Sequence, residues 1–215
     1  MGIRAFIFDF DGTIGDSSEC GLRATQEAFA ELGYGIPSRD QIEYYMGIPI
    51  EQSFKLMLPH EISDTDFNAL LTFFREKYAT YEDEYLSSFA HVADTLRQLK
   101  ARGSQLFVLS SKKTDVLHRN VATLGLIDLF TEIVGSDKVT AYKPDPAGIL
   151  YLIHKYQLNP QQTIMIGDAT FDIQMGNRAQ VQTCAVTWGA HSLELLQAER
   201  PTFIVNYATE WLRLI

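Results

Sequence analysis

The sequence predicts an α/β fold: a doubly wound parallel sheet with a small all-helical cap domain. Three observations predict it. Short apolar, β-branched runs recur along the 215 residues with helical patterns between them. Most of these runs lack polar alternation, as strands buried on both faces do. One stretch, 16 to 85, breaks the rhythm and contains no convincing strand.

AFIF (5–8) opens the chain as a buried strand. DSSECGLRATQEAFAELG (16–33) reads as a helix, with Asp16 and Glu19 at capping-box spacing and Gly33 as its stop. Pro37, Pro49 and Pro59 punctuate the next segment into short helices, and TDFNALLTFFREKYATYEDEY (65–85) is a long helical pattern. LFVL (106–109), IVG (133–135), TIMIG (163–167), TCAVTW (183–188) and FIV (203–205) read as further strands. Helices are expected at about 92–102, 114–124, 146–157, 171–179 and 190–198, with Gly103 and Gly125 at C-terminal caps. The predicted organisation is a discontinuous core, 1–15 and 86–215, with a helical insertion at 16–85. Its hinges fall near Gly15–Asp16 and Tyr85–Ser88.

Composition narrows the class. Hydrophobic content of 46% supports a real core, and the formal charge of −9 lacks the basic footprint of a nucleic-acid surface. Cys20 and Cys184 lie far apart with no CxxC partner, which fits a reduced interior better than a disulfide scaffold. MGIRAFIF is too short for a signal-peptide core, and no apolar run reaches membrane-spanning length. A soluble cytoplasmic protein with no membrane or nucleic-acid partner is the expectation.

The chemistry gathers at strand ends. Ligands of open parallel sheets sit beyond the carboxyl ends of the strands, and Asp9 and Asp11 fall there. In extended chain, residues two apart point to one side. Two like charges so placed raise one pKa unless a cation neutralises them. Asp11–Gly12 also reads simply as a turn, with Asp9 a local cap. TIMIG runs into Asp168, with Asp172 four residues on, where it also reads as an N-terminal helix acid. Carboxylates from two strand ends make a hard-oxygen site suited to Mg²⁺. LFVL ends in Ser110–Ser111–Lys112, whose hydroxyls and backbone N–H groups suit an anion. Lys143 precedes Pro144, which disfavours helix at the lysine and aims it at the sheet edge. Lys112 and Lys113 read as ordinary surface cations, one of them free to pair with a neighbouring acid. His60, His91, His118, His154 and His191 show no metal spacing and read as structural or surface residues.

Together these motifs resemble the haloacid dehalogenase superfamily, and within it the phosphatases with a helical cap after the first motif. The residues are DFDGT (Asp9, Asp11, Thr13), VLSSK at Ser110, Lys143–Pro144–Asp145–Pro146, Gly167 through Asp172, and VTWG at 186–189. The resemblance implies that Asp9 is a nucleophile accepting a phosphoryl group. It implies that Asp11 protonates the leaving oxygen and then deprotonates water. The Asp9 carboxylate, the Asp11 backbone carbonyl and Asp168 would hold Mg²⁺, and Ser110 and Lys143 would bind phosphoryl oxygens. Asp172 would orient Lys143 or a metal-bound water. Gly12, Thr13 and Ser111 fall in the same phosphate-binding loops. In the cap, MGIPIEQSF (46–54) is similar to the loop that drops onto substrate, which places Met46 and Gly47 there. His91 stands where relatives usually carry glycine, in a loop bordering the mouth. The implied substrate is a small phosphorylated metabolite, in the manner of phosphoglycolate phosphatases. Two alternatives stay open: a phosphomutase resembling β-phosphoglucomutase, and a non-catalytic binding protein retaining the fold.

Overall fold

The computed structural model describes residues 2–45 and 48–215. In chain order the elements are β1 (Ala5–Phe8), β2 (Gly15–Asp16), α1 (Ser18–Glu31), α2 (Arg39–Tyr45), α3 (Ile50–Met57), α4 (Asp64–Tyr85) and β3 (Ser87–Ser88). Then follow α5 (Val92–Ala101), β4 (Gln105–Leu109), α6 (Thr114–Thr123), β5 (Glu132–Val134) and α7 (Ala147–Tyr156). The chain closes with β6 (Thr163–Gly167), α8 (Thr170–Arg178), β7 (Gln182–Val186), α9 (Leu193–Ala198) and β8 (Phe203–Val205). Short 3₁₀ turns join some of them.

Six strands form one parallel sheet in the order β5-β4-β1-β6-β7-β8. The order reverses at β1, whose Phe8 pairs with Val108 of β4 on one side and Ile166 of β6 on the other. The acids that follow β1 and β6 are thereby neighbours. The all-apolar runs are explained by burial on two faces. Phe6 and Phe8 pack into a layer with Val108, Leu117, Ile166 and Trp211, while Ala5 and Ile7 join Phe107, Ile149, Leu152 and Met165 on the other side. This is the period-2 alternation of a strand sandwiched by helices.

Helices α1, α3 and α4 carry an apolar cluster of their own, with Ala28, Phe29, Phe54, Leu70 and Leu71 buried. The chain enters and leaves this helical segment through β2 and β3, which pair antiparallel with Gly15 opposite Ser88 and Asp16 opposite Ser87. The ribbon lies at the expected hinges. Gly33, Gly103 and Gly125 adopt positive φ (73°, 85° and 66°), the left-handed cap geometry that ends a helix cheaply only at glycine.

Three local expectations are corrected. The Asp16–Glu19 capping box does not form. Asp16 is drawn into the ribbon, α1 starts two residues later, and the Asp16 carboxylate accepts from the Ser18 N–H (3.2 Å) and hydroxyl (2.6 Å). Glu19 turns outward to Arg23 (3.3 Å) and Arg39 (2.5 Å). The helix expected from 190 begins at Leu193, because the Ser192 side chain accepts the Leu195 N–H and caps it there. The strand expected through Trp188 ends at Val186, and Trp188 instead donates its indole N–H to the Thr13 carbonyl (3.2 Å).

Candidate active site

The sheet brings four chain segments to one edge. Asp9 continues the ladder from β1, its N–H bonded to the Ile166 carbonyl (2.8 Å). Lys143, from the loop before α7, places Nζ 2.7 Å from an Asp9 oxygen and 2.7 Å from an Asp172 oxygen. All three side chains are buried. Asp168, at the end of β6, accepts from the Thr13 hydroxyl (3.0 Å) and the Ala190 N–H (2.7 Å). Asp172, in the first turn of α8, also accepts from the Ala169 N–H (3.1 Å). Carboxylate oxygens of Asp9, Asp168 and Asp172 lie within 4.8 Å of one another.

Backbone approach makes this density possible. A Cβ at Gly12 (φ 75°) would stand 2.2 Å from an Asp168 oxygen, and one at Gly167 would stand 2.2 Å from an Asp172 oxygen. Ser110 is buried after β4, its N–H held by the Val134 carbonyl (3.0 Å), and its hydroxyl accepts from the Lys112 N–H (3.2 Å). Ser111 follows, half-buried, beside Asp11.

The electrostatics are those of crowded, dry acids. Burial raises the Asp9 pKa well above the usual carboxylate value; Lys143 opposes this, and Asp172, Asp168 and Asp11 add to it. Burial, with Asp172 beside it, pushes Asp168 up to about 7. Burial alone would lower the Lys143 pKa, but Asp172 and Asp9 hold it above its ordinary value. Three buried carboxylates therefore face one buried ammonium group. A further cation fits this donor set: hard oxygens of excess negative charge, two of them on acids whose ionisation is penalised without it.

Asp11 sits differently from the expectation of a carboxylate beside Asp9. Its side chain accepts from the Ser17 hydroxyl and pairs with Lys112 Nζ, and the third acid of the buried trio is Asp172. Lys112 is accordingly no surface cation. Its side chain is 15% exposed, its Nζ lies 2.6 Å from the Tyr78 hydroxyl of α4, and it stands over the Phe10 and Tyr78 rings. Burial would lower the Lys112 pKa, but Asp11 and Tyr78 hold it above its ordinary value. Tyr78 reaches on to Asn120 (3.4 Å), and Asn120 and Arg119 hold the buried Glu82. Lys113 does stay half-exposed, 3.6 Å from Glu51.

Two further placements were not legible. His191 is buried beside the Asp168 loop. Its Nδ1 accepts the Thr170 N–H (3.1 Å), so its proton lies on Nε2, facing the Tyr44 carbonyl (3.3 Å), and its ring stacks on Tyr44 at 5.3 Å. His91 is exposed at the N-terminus of α5 with φ 64° and ψ −3°. It lines neither of the two cavities that open on Asp11. The glycine expected at this position has a backbone reason, since the turn demands left-handed geometry. Met46 and Gly47 lie outside the described residues.

One of those two cavities, about 190 Å³, is bordered by Asp11, Gly12, Asp168, Trp188 and Gly189. The other, about 280 Å³, is bordered by Asp11, Ile42, Tyr45, Phe74, Tyr78 and Lys112.

The family model described as haloacid dehalogenase-like hydrolase matches residues 6–186. The chain is a haloacid dehalogenase-like hydrolase. It is 31% identical over 206 residues to pyrophosphatase PpaX of Oceanobacillus iheyensis, covering 96% of this chain and 94% of that protein. It is 27% identical over 214 residues to pyrophosphatase PpaX of a Listeria monocytogenes serotype 4b strain, covering 99% and 96%. Among solved structures, a haloacid dehalogenase-like family hydrolase from Streptococcus pneumoniae superposes with a TM-score of 0.85 at 28% identity, covering 98% of this chain and 97% of that one. A predicted phosphoglycolate phosphatase from Haemophilus somnus 129pt superposes at 0.91 and 23% identity, with 98% and 97% covered, and shares the fold. This hydrolase therefore has its relatives' core along nearly its whole length. Among its described residues no helix is long and apolar enough to cross a membrane.

Proposed function

We propose that this hydrolase cleaves a small-molecule phosphate monoester, with Mg²⁺, through a phosphoryl group carried on Asp9. The observation that carries the reading is the Lys143 ammonium group bridging Asp9 and Asp172 at 2.7 Å each, with Asp168 in the same buried cluster. A phosphoryl group is an anion facing a carboxylate, so the residues beside Asp9 must supply positive charge without quenching the nucleophile.

Asp9 attacks phosphorus, the ester P–O bond breaks, and the leaving oxygen takes a proton from Asp11. Lys112 and the Ser17 hydroxyl receive the carboxylate that this transfer leaves. Water then attacks the aspartyl phosphate, giving its proton to Asp11, and the bond to Asp9 breaks to release phosphate. Splitting one hard displacement into two easier ones is the gain of covalent catalysis. Lys143 and Ser110 bind the phosphoryl oxygens, with Gly12, Thr13 and Ser111 shaping the loops around them. Asp172 holds Lys143 in place. Asp9, Asp168 and the Asp11 backbone carbonyl would hold the Mg²⁺, which supplies charge stabilisation for the phosphoryl oxygens. Residues 16–85 act as a lid that excludes water from the aspartyl phosphate, closed through the Lys112–Tyr78 and His191–Tyr44 contacts. The reduced, buried Cys20 and Cys184 suit a cytoplasmic setting.

The names of the relatives favour a second reading, inorganic pyrophosphate as substrate, with phosphate as the leaving group. Phosphate release from a panel of phosphomonoesters and pyrophosphate, with and without Mg²⁺, tests both. Trapping of a phosphoryl group on wild type but not on Asp9→Asn is expected. Turnover by Asp9→Asn within tenfold of wild type would refute the nucleophile.

A further inference from the structure

The loop after β7 touches the buried acids and the helical insert at once. Its Ala190 N–H donates to an Asp168 oxygen (2.7 Å), and its His191 N–H reaches the Asp168 backbone carbonyl (3.4 Å). Gly189 packs so closely that a Cβ there would stand 2.2 Å from the Asp168 Cβ. The buried His191 ring continues this grip. Its Nδ1 accepts the Thr170 N–H (3.1 Å), and the Phe171 ring lies against it at 5.7 Å. Thr170 and Phe171 stand between Asp168 and Asp172 in the chain. The other edge of the same ring meets α2. There Nε2–H donates to the Tyr44 carbonyl (3.3 Å), and the Tyr44 ring stacks on it with 10° between the planes. Tyr44 is exposed and belongs to neither apolar cluster of the insert. Its ring therefore serves the contact with the core rather than the interior of the insert.

We propose that His191 is a positioning residue for Asp168, and that through it Mg²⁺ binding and closure of the insert over the core favour one another. This rests on the reading above of Asp168 as a metal ligand and of residues 16–85 as a lid. The coupling is one of shared ordering. A metal needs the Asp168 carboxylate in one orientation, and the Thr13 hydroxyl and Ala190 N–H hold one oxygen each. The lid needs the His191 ring in one orientation for Tyr44 to stack on it. Both demands fall on residues 189–191, so whichever partner binds first orders the loop for the other. By linkage the two affinities change by the same factor. No residue of the lid has to touch the metal for this, since Asp9, Asp11 and Asp168 all lie outside 16–85.

Hydrogen exchange of the full chain, with and without Mg²⁺ and with no substrate, reads the coupling directly. Mg²⁺ should slow exchange several-fold across α1 and α2 of the wild type, although no proposed ligand lies there. Tyr44→Ala removes the stack and keeps the carbonyl. His191→Asn removes the ring, while its amide oxygen can still accept the Thr170 N–H. Each should weaken Mg²⁺ binding, measured by calorimetry, by about two- to tenfold, the size of one ring pair. Each should also leave α2 exchange indifferent to saturating Mg²⁺. Because both variants break one contact, the double variant should bind Mg²⁺ no more weakly than His191→Asn alone. Wild-type α2 exchange that ignores Mg²⁺, wild-type affinity in Tyr44→Ala, or additive losses in the double variant would each overturn the coupling and leave the metal reading standing. Mg²⁺ binding as tight in Asp168→Asn as in the wild type overturns the metal site and the coupling with it. The wild-type exchange comparison decides even where a variant fails to fold.

Discussion

Replacing Asp168 with asparagine should change the sign of its effect on stability between mild acid and mild base. Asp168 is raised from 3.8 to about 7, by burial first and then by Asp172. In the metal-free protein the folded state therefore holds a proton that the unfolded chain has released. Stability falls as pH rises through that window, and above about pH 7 the full penalty is present, about 4 kcal/mol. Asp168→Asn abolishes the penalty. It keeps the acceptor for the Thr13 hydroxyl but turns an NH₂ group toward the Ala190 N–H, which a carboxylate oxygen accepts at 2.7 Å. That loss costs about 1–2 kcal/mol at any pH. The variant should thus be more stable than wild type by about 2 kcal/mol at pH 8 and less stable by about 1–2 kcal/mol at pH 4, crossing near pH 5. Urea unfolding in EDTA across this range measures the difference. Adding Mg²⁺ should then stabilise the wild type by mass action and the variant much less. A variant destabilised equally at both ends of the range would refute the account of Asp168 as an acid held against its charge.

Asp9→Asn should abolish phosphate release while leaving the circular dichroism spectrum unchanged, since the amide keeps the shape at the end of β1. Asp11→Asn should slow alkyl phosphates far more than p-nitrophenyl phosphate, whose leaving group needs little protonation; equal losses in kcat would remove Asp11 as the proton donor. Lys143→Ala and Asp168→Ala should both be nearly inactive, yet only the aspartate variant should recover part of its rate in excess Mg²⁺, read from metal titrations of initial rate. Rescue of the lysine variant alone would reverse the assignments. His91→Gly should raise stability by about 1 kcal/mol, because φ 64° costs a side chain what it does not cost glycine. A lower melting temperature would show that the His91 side chain contributes contacts that outweigh its backbone strain.

The strands were legible because burial on two faces leaves a simple trace. FIV is a strand at the expected residues, and TIMIG runs unbroken into Asp168. Asp9 and Asp168 stood out as candidates for a related reason: each directly follows an all-apolar strand, and in a parallel sheet such positions share one edge. Lys112 was not legible, because what buries it is Tyr78, 34 residues earlier on α4. Its neighbour Lys113 looks the same in sequence and stays half-exposed. His191 escaped for the same reason, as its partners Thr170 and Tyr44 come from two distant segments. The Asp16–Glu19 spacing misled because capping chemistry is local, whereas the antiparallel pairing of Asp16 with Ser87 is not and displaced the helix start. The His91 anomaly did leave a sequence signal, a bulky residue where the resemblance implies glycine, and its meaning was conformational.

The two-residue ribbon of β2 and β3 has a consequence for how such enzymes diversify. Because Gly15 and Ser88 are paired, the chain leaves the sheet and returns to it at points about 5 Å apart. A short turn would span that gap as well as the helices α1 to α4 do. Recombination at this junction can lengthen, shorten or exchange the insert without moving any strand of the sheet, as inserts with adjacent ends generally allow. The core side chains around Asp9 would inherit their positions intact, and a new insert would bring new side chains to the cavity beside Asp11. One obligation would remain on any replacement: to offer Lys112 a hydroxyl where Tyr78 now stands, or leave that ammonium group to Asp11 alone.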